Sequence, residues 1–396
     1  MSGEMPVGSA SEVFAVFLKL GLTSFGGPVA HLGYFRNEFV ERRKWLAEQT
    51  YADLVALCQF LPGPASSQVG ISIGLLRAGY PGALAAWTAF TLPSALALVA
   101  FAYGLAASGN ALGSGWLHGL KVAAVAVVAL AILGMARTLA PDRERASLAV
   151  LALAIALAIP SAWGQIGAIL AGAMIGAAFM KADAPAAQPS LNLPASRNSA
   201  VVALAIFAAL LAGLPVLASI TDNENVRLFD TFYRVGSLVF GGGHVVLPLL
   251  QAEVVPSGWV SNDAFLAGYG AAQAVPGPLF TFAAYLGAVI GGWKAAVICL
   301  VAIFLPSFLL VIGILPFWEG LRRTPMAQSV LRGVNAAVVG LLLAAFYNPV
   351  WTSGITGKAD FGLAAVAFLL LFLWRTPPWL VVIICAAGGE LLAFVP

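Results

Sequence analysis

Charge is what this sequence lacks. Only 9% of its 396 residues are Asp, Glu, Lys or Arg, while 61% are hydrophobic. A soluble chain of this size carries about 25% charged residues. So little charge cannot keep so much apolar surface in water, and the mean hydropathy of +0.93 agrees. A soluble protein is excluded, and no nucleic-acid partner is called for. Cysteine is also scarce. Cys58, Cys299 and Cys385 stand singly in apolar segments, without the spacing of a metal or redox motif, and read as small buried hydrophobes. No Gly-x-x-x-x-Gly-Lys-Ser/Thr loop is present, so nothing points to ATP use. No zinc-ligand set or catalytic carboxylate pair stands out either. No enzyme activity, cofactor or metal is expected. Residues 1–11 contain no Lys or Arg, so they lack the basic start of a cleaved signal peptide.

What the chain has is apolar length. Thirteen segments alternate with polar loops: 12–34, 51–76, 80–106, 116–138, 146–160, 164–180, 198–219, 228–250, 264–290, 294–317, 328–349, 360–374 and 378–395. A spanning helix needs about 20 residues, so an all-α polytopic membrane protein in contact with the lipid bilayer is expected. Residues 182–197 are rich in Pro, Ala and Ser and read as a linker.

The two sides of that linker repeat each other. Phe25-Gly26-Gly27 matches Phe240-Gly241-Gly242, and Pro62-Gly63-Pro64 matches Pro276-Gly277-Pro278. Glu38 matches Glu253, Trp45 matches Trp259, Gln59 matches Gln273, and Leu92-Pro93-Ser94 matches Leu305-Pro306-Ser307, with offsets that stay between 213 and 216. Such a series marks an internal duplication. The expected organisation is a first repeat over 12–181, a linker over 182–197, a connecting helix over 198–219 and a second repeat over 228–396.

Four matched breaks interrupt apolar segments. Proline removes a backbone donor and disfavours helix in the residue before it, so a continuous helix through Pro-Gly-Pro is not expected. Broken backbone at membrane depth is tolerated only inside protein or against a polar cavity. Matched breaks in two halves point to a transporter's binding site. Charge then bears on topology. If every segment crosses, the loop Lys and Arg divide nine inside and seven outside. If 12–34, 51–76, 228–250 and 264–290 instead turn back at their breaks, the division is thirteen to three, as the preference for basic cytoplasmic loops requires. Either way an odd number of crossings separates the repeats, so their topologies are inverted.

The residues at the breaks suit an anion. A helix starting after Pro64 or Pro278 aims free N–H groups at the membrane centre. Ser66 and Ser67 add hydroxyls in the first turn. Gly26, Gly27, Gly241 and Gly242 allow close backbone approach. Intramembrane ionisable groups are usually functional; here Lys19 and Arg234 are matched, each six residues before its Phe-Gly-Gly break, and Lys121 is matched by Asn335. Lys19 and Arg234 are the expected main charges of the site. Gln59 and Gln273 can donate to an oxyanion. His31, His244, Glu38 and Glu253 are candidates for coupling or gating.

These motifs resemble those of the chromate ion transporter family, above all Phe25-Gly26-Gly27-Pro28 with His31, Gln59 through Pro64, Phe240 through His244, and Gln273 through Pro278. The resemblance covers nearly the whole chain and fits the long, two-repeat members. It implies export of chromate across the bacterial inner (plasma) membrane, driven by membrane potential or a proton gradient, with sulfate as a structural analogue. An anion channel and a carrier of another inorganic anion stay open as alternatives, as does assembly into a homo-oligomer.

Overall fold

A computed structural model describes residues 8–108, 114–180, 196–322 and 324–394. The linker expected at 182–197 lies outside the described residues except for its last two. Helices make up the fold, and no strand occurs among the described residues. In chain order they are α1 (Ala10–Thr23), α2 (Gly27–Arg36), α3 (Glu48–Phe60), α4 (Ala65–Ser108), α5 (Ser114–Leu139), α6 (Arg143–Ala158), α7 (Ala162–Phe179), α8 (Arg197–Ile220), α9 (Glu224–Leu238), α10 (Val246–Val254), α11 (Asn262–Ala272), α12 (Phe282–Ile314), α13 (Trp318–Arg322), α14 (Pro325–Ala345), α15 (Thr352–Gly354), α16 (Lys358–Phe372) and α17 (Pro378–Ala393). Among the described residues six helical stretches are long and apolar enough to cross a membrane.

Side-chain caps start several of these helices. Ser9, Asp142, Ser161, Ser196, Asn223 and Ser261 each accept a backbone N–H from the first turn, satisfying a donor that the helix itself leaves free. These caps sit in the loops, where the sequence concentrates its polar residues.

The matched breaks are hairpin apices. In the first repeat, α1 leads away from Glu12 and α2 returns: Phe17 packs against Phe35 and Phe39, with ring centroids 5.6 and 5.0 Å apart. The next pair behaves alike. Arg77, at the far end of the 65–77 arm of α4, lies over the Trp45 ring just before α3, 4.7 Å from its centroid. Arg77 also pairs with Glu12 at 3.1 Å. The open ends of both hairpins therefore share one cluster. The hairpins of the second repeat double back in the same way. Arg234 on α9 meets Glu253 on α10 at 2.7 Å. Phe265 on α11 meets Phe282 on α12 at 5.1 Å. Residues 17 apart on an unbroken helix would be about 25 Å apart, so this chain has doubled back.

Both long helices also fold sharply. α4 leaves helical geometry at Ala78–Gly79 and α12 at Gly291–Gly292, with nearly equal dihedrals. The second arms, 80–108 and 293–314, pack antiparallel. Trp87 meets Phe304 and Phe308 at one level. At the other, a Cβ on Gly292 would lie 3.2 Å from Tyr103 Oη. The two turns, and with them the two sets of hairpin mouths, lie at opposite ends of the molecule.

The later helices are exchanged between halves. α5 packs on α16 and α17 of the other repeat, and α14 packs on α6 and α7. Small residues allow the approach: Gly119 abuts the backbone of Cys385, and Gly333 that of Gly172. Close glycine contacts of this kind let membrane helices pack backbone to backbone. The largest core cluster accordingly draws on both halves.

Candidate functional site

The four apices meet between the repeats, and they meet reciprocally. Gly63 N–H donates to the Val239 carbonyl at 2.6 Å, and Gly277 N–H donates to the Ser24 carbonyl at 3.0 Å. Each Pro-Gly-Pro break is thus bonded to the residue that precedes Phe-Gly-Gly in the other repeat. Gly63 has φ +121° and Gly277 φ +100°, which L side chains rarely adopt. A Cβ at either would also lie 2.8 Å from a serine oxygen of the other repeat's Leu-Pro-Ser motif, Ser307 or Ser94. Gly243 lies against Pro28 in the same region. Gly26, Gly27, Gly241 and Gly242 also have positive φ, and Pro64 and Pro278 are buried. Pro62 and Pro276 complete the two breaks.

Polar groups gather on one side of this junction. His31 Nε2 lies 3.2 Å from the Ser24 carbonyl. A carbonyl only accepts, so Nε2 carries the proton, and Nδ1 accepts from Ser66 Oγ at 3.3 Å. Ser94 donates to the Thr91 carbonyl at 3.0 Å. The hydroxyls of Ser24, Ser67 and Thr91 are buried and have no hydrogen-bond partner. Buried polar atoms are usually bonded, so several unbonded ones near one junction call for an explanation. On the other side, His244 bonds the Tyr269 hydroxyl at 2.8 Å, Gln68 donates to the Pro62 carbonyl at 2.7 Å, and the Gln68 carbonyl oxygen is buried without a partner.

The cations expected at the site lie elsewhere. Lys19 is on the exposed face of α1 and its side chain makes no ion pair or hydrogen bond among the described residues. Its match Arg234 is held by Asp230 at 3.0 Å and Glu253 at 2.7 Å. Both carboxylates line a cleft of about 280 Å³ with Arg234, Arg227 and Trp259. Lys121 pairs with Asp263 at 2.9 Å, and His118 with Asp360 at 2.9 Å. Carboxylates thus accompany Arg234, Lys121 and His118: Asp230, Asp263 and Asp360 lie one helical turn away or on another helix and do not follow the repeat offset. Asn335 is half-buried and Gln59 is exposed. Glu38 bonds Arg43 at 2.6 Å and Arg42 at 3.0 Å. Burial raises its pKa, but hydrogen bonds from Arg43 and then Arg42 prevail and hold the carboxyl below its usual range. Among the described residues no group of three or more His, Cys, Asp or Glu could hold a metal ion.

Ser24 and Thr91 are absent from the candidates drawn from the sequence. Their counterparts are Val239 and Phe304, so a search for features shared by both repeats passes over them. Two hydroxyls beside matched motifs were the available signal.

Long apolar helices, hairpins that double back at matched breaks and a polar junction where two repeats meet define a multi-pass membrane protein of the transporter class. The chain belongs to the chromate transporter family, whose model matches it twice, over residues 11–177 and 226–390. It is 30% identical to the chromate transport protein of Pseudomonas aeruginosa, covering 97% of this chain and 92% of that one. It is 28% identical to a probable chromate transport protein of Synechococcus elongatus, over 86% and 84% of the two chains. A shorter relative, an uncharacterized transporter of Bacillus subtilis, is 35% identical over 30% of this chain and 68% of its own. No solved structure matches.

Proposed function

We propose that this protein is a secondary transporter that exports chromate across the bacterial inner membrane, driven by the membrane potential or a proton gradient, with sulfate-like tetrahedral oxyanions as the wider substrate class. The observation that carries this reading is the reciprocal pair of hydrogen bonds, Gly63 to Val239 and Gly277 to Ser24. They join broken backbone of one repeat to broken backbone of the other, and movement of one repeat against the other would break both. Hairpin mouths at opposite ends support alternating access by inverted repeats.

In this reading the substrate passes the junction formed by the two Pro-Gly-Pro and the two Phe-Gly-Gly breaks. Lys19 and Arg234 act as charges on the approaches. Arg234 is gated by Glu253 and Asp230. Gln59, Gln273, Ser66 and Ser67 offer donors near the apices, and Lys121 and Asn335 lie on the flanking helices α5 and α14. His31 and His244 fix the hairpins, and Glu38 braces the mouth of the first repeat.

Uptake of radiolabelled chromate and sulfate into proteoliposomes holding only this protein tests the reading, with and without an imposed proton gradient and potential. Saturable chromate flux that responds to the gradient is expected. Non-saturating flux would identify a channel. Flux of another anion alone would replace the substrate, and no flux from folded protein would end the transporter reading.

A further inference from the structure

The junction is symmetric in its backbone and asymmetric in its chemistry. Ser24 and Val239 hold equivalent places, each receiving a Pro-Gly-Pro glycine N–H. Thr91 and Phe304 precede the two Leu-Pro-Ser motifs. By the offset of the Pro-Gly-Pro breaks, Ser66 and Ser67 correspond to Phe280 and Thr281. In the second half Phe280 and Phe304 pack on each other, with ring centroids 5.8 Å apart, and Thr281 bonds the Pro278 carbonyl at 2.8 Å. The first half keeps three hydroxyls that are 0–3% exposed, Ser24, Ser67 and Thr91, and all three lack a partner.

Contacts place their segments together. His31 touches Ser24 and Ser66, and its ring packs edge-on against Phe90, 5.2 Å away. A Cβ at Gly277 would lie 3.1 Å from the Phe90 carbonyl. Ser67 follows Ser66, and Thr91 follows Phe90. No Lys or Arg among the described residues bonds any of these three hydroxyls.

We propose that the oxyanion is bound in the first-repeat half of the junction only, by the neutral hydroxyls of Ser24, Ser67 and Thr91, with no cation in direct contact. This rests on the transporter reading and adds which half holds the substrate and by what chemistry. Hydroxyls donate one hydrogen bond each, and bonds to an ionised acceptor are about twice as strong as neutral ones. An oxyanion with several acceptor oxygens can take all three. Conduction requires binding weak enough to leave, and neutral donors hold an oxyanion less tightly than a fixed cation in contact with it. The cost of the arrangement falls on the empty protein, which buries three donors unsatisfied.

That cost supplies a test that separates ligand from scaffold. Full-length purified Ser24→Ala, Ser67→Ala, Thr91→Ala and the triple variant are compared with Thr281→Ala, the counterpart of Ser67 in the second half, whose hydroxyl is already bonded. Chromate and sulfate affinity are measured by equilibrium dialysis, and the thermal midpoint is followed without anion. Each hydroxyl deletion should weaken binding about tenfold, the scale of a hydrogen bond to a charged group. The same variants should unfold at the wild-type temperature or above it, because they shed an unsatisfied donor. Thr91→Ser should bind like wild type, and Thr281→Ala should leave affinity unchanged. Wild-type affinity in the folded triple variant would overturn the assignment. So would equal weakening by Thr281→Ala, which would put the anion across both halves. A wild-type protein that binds neither anion would instead remove the transporter reading on which this rests.

Discussion

Arg234 has two carboxylate partners, and its fate when they are left alone can be measured. Asp230 and Glu253 are 7% and 18% exposed at their side chains. Arg234→Ala leaves both without their guanidinium, and breaking a buried pair from one side costs about 3–5 kcal/mol. A large fall in thermal midpoint in detergent is expected, and Asp230→Asn with Glu253→Gln in the same chain should recover much of it. Loss of transport in Arg234→Ala is therefore a sound measure of substrate contact only in the recovered background. Glu38 gives a second test at this scale. Its pKa is lowered on folding, so it contributes stability that is fully present above the unfolded carboxylate value near 4.3. That contribution is lost as pH falls through the lower folded value. Glu38→Gln should lower the thermal midpoint at pH 7, and the gap from wild type should close below about pH 4. A constant gap across that range would show that shape rather than charge carries the effect.

The hairpin apices are where the elements of one repeat meet those of the other, and they respond to a single methyl group. An alanine at Gly63 or Gly277 must hold a positive φ, which for a right-handed chain costs about 1–2 kcal/mol. It also presses on a buried serine oxygen of the other repeat. Gly63→Ala and Gly277→Ala should each cut anion flux tenfold or more while the protein still reaches the membrane, since each methyl group would lie 2.8 Å from a serine oxygen across the junction. A large loss in one and none in the other would mean that only one apex moves. These elements were legible in the sequence because proline and glycine act locally: Pro62-Gly63-Pro64 interrupts a helix wherever it stands. Gly79 and Gly292 were legible in the same way, as the gaps that follow 51–76 and 264–290. The exchange of α5 and α14 between halves was not. Gly119 and Gly333 hold matched places in the two repeats, but nothing in a local pattern says which distant backbone will lie against them. The ion partners of Lys121 and His118, on other helices, escaped for the same reason, whereas Asp230, four residues before Arg234 on α9, lay within reach of a local pattern. Ser24 and Thr91 escaped because they depart from the repeat that drew the eye to everything else.

Which end of the molecule each repeat faces is a property of the whole chain, and two cysteines can read it. The hairpins of the first repeat open beside Trp45 and Arg77, and those of the second beside Arg227 and Trp259. The antiparallel second arms of α4 and α12 carry those mouths to opposite ends. Basic residues favour the cytoplasmic side, and the loop at the first mouth holds Arg36, Arg42, Arg43 and Lys44, while 251–263 holds no Lys or Arg. Ala47 and Ser257 are exposed in these two loops. The native cysteines Cys58, Cys299 and Cys385 are all buried, so a membrane-impermeant maleimide should meet little background. In intact cells Ser257→Cys should label and Ala47→Cys should not, and in inverted vesicles the order should reverse. Labelling of both from one side would put the two mouths on the same face and leave alternating access without its two entrances. Labelling of Ala47→Cys from outside and Ser257→Cys from inside would keep the inverted architecture but reverse the molecule in the membrane, and export would then have to proceed from the mouth guarded by Arg234 and Glu253.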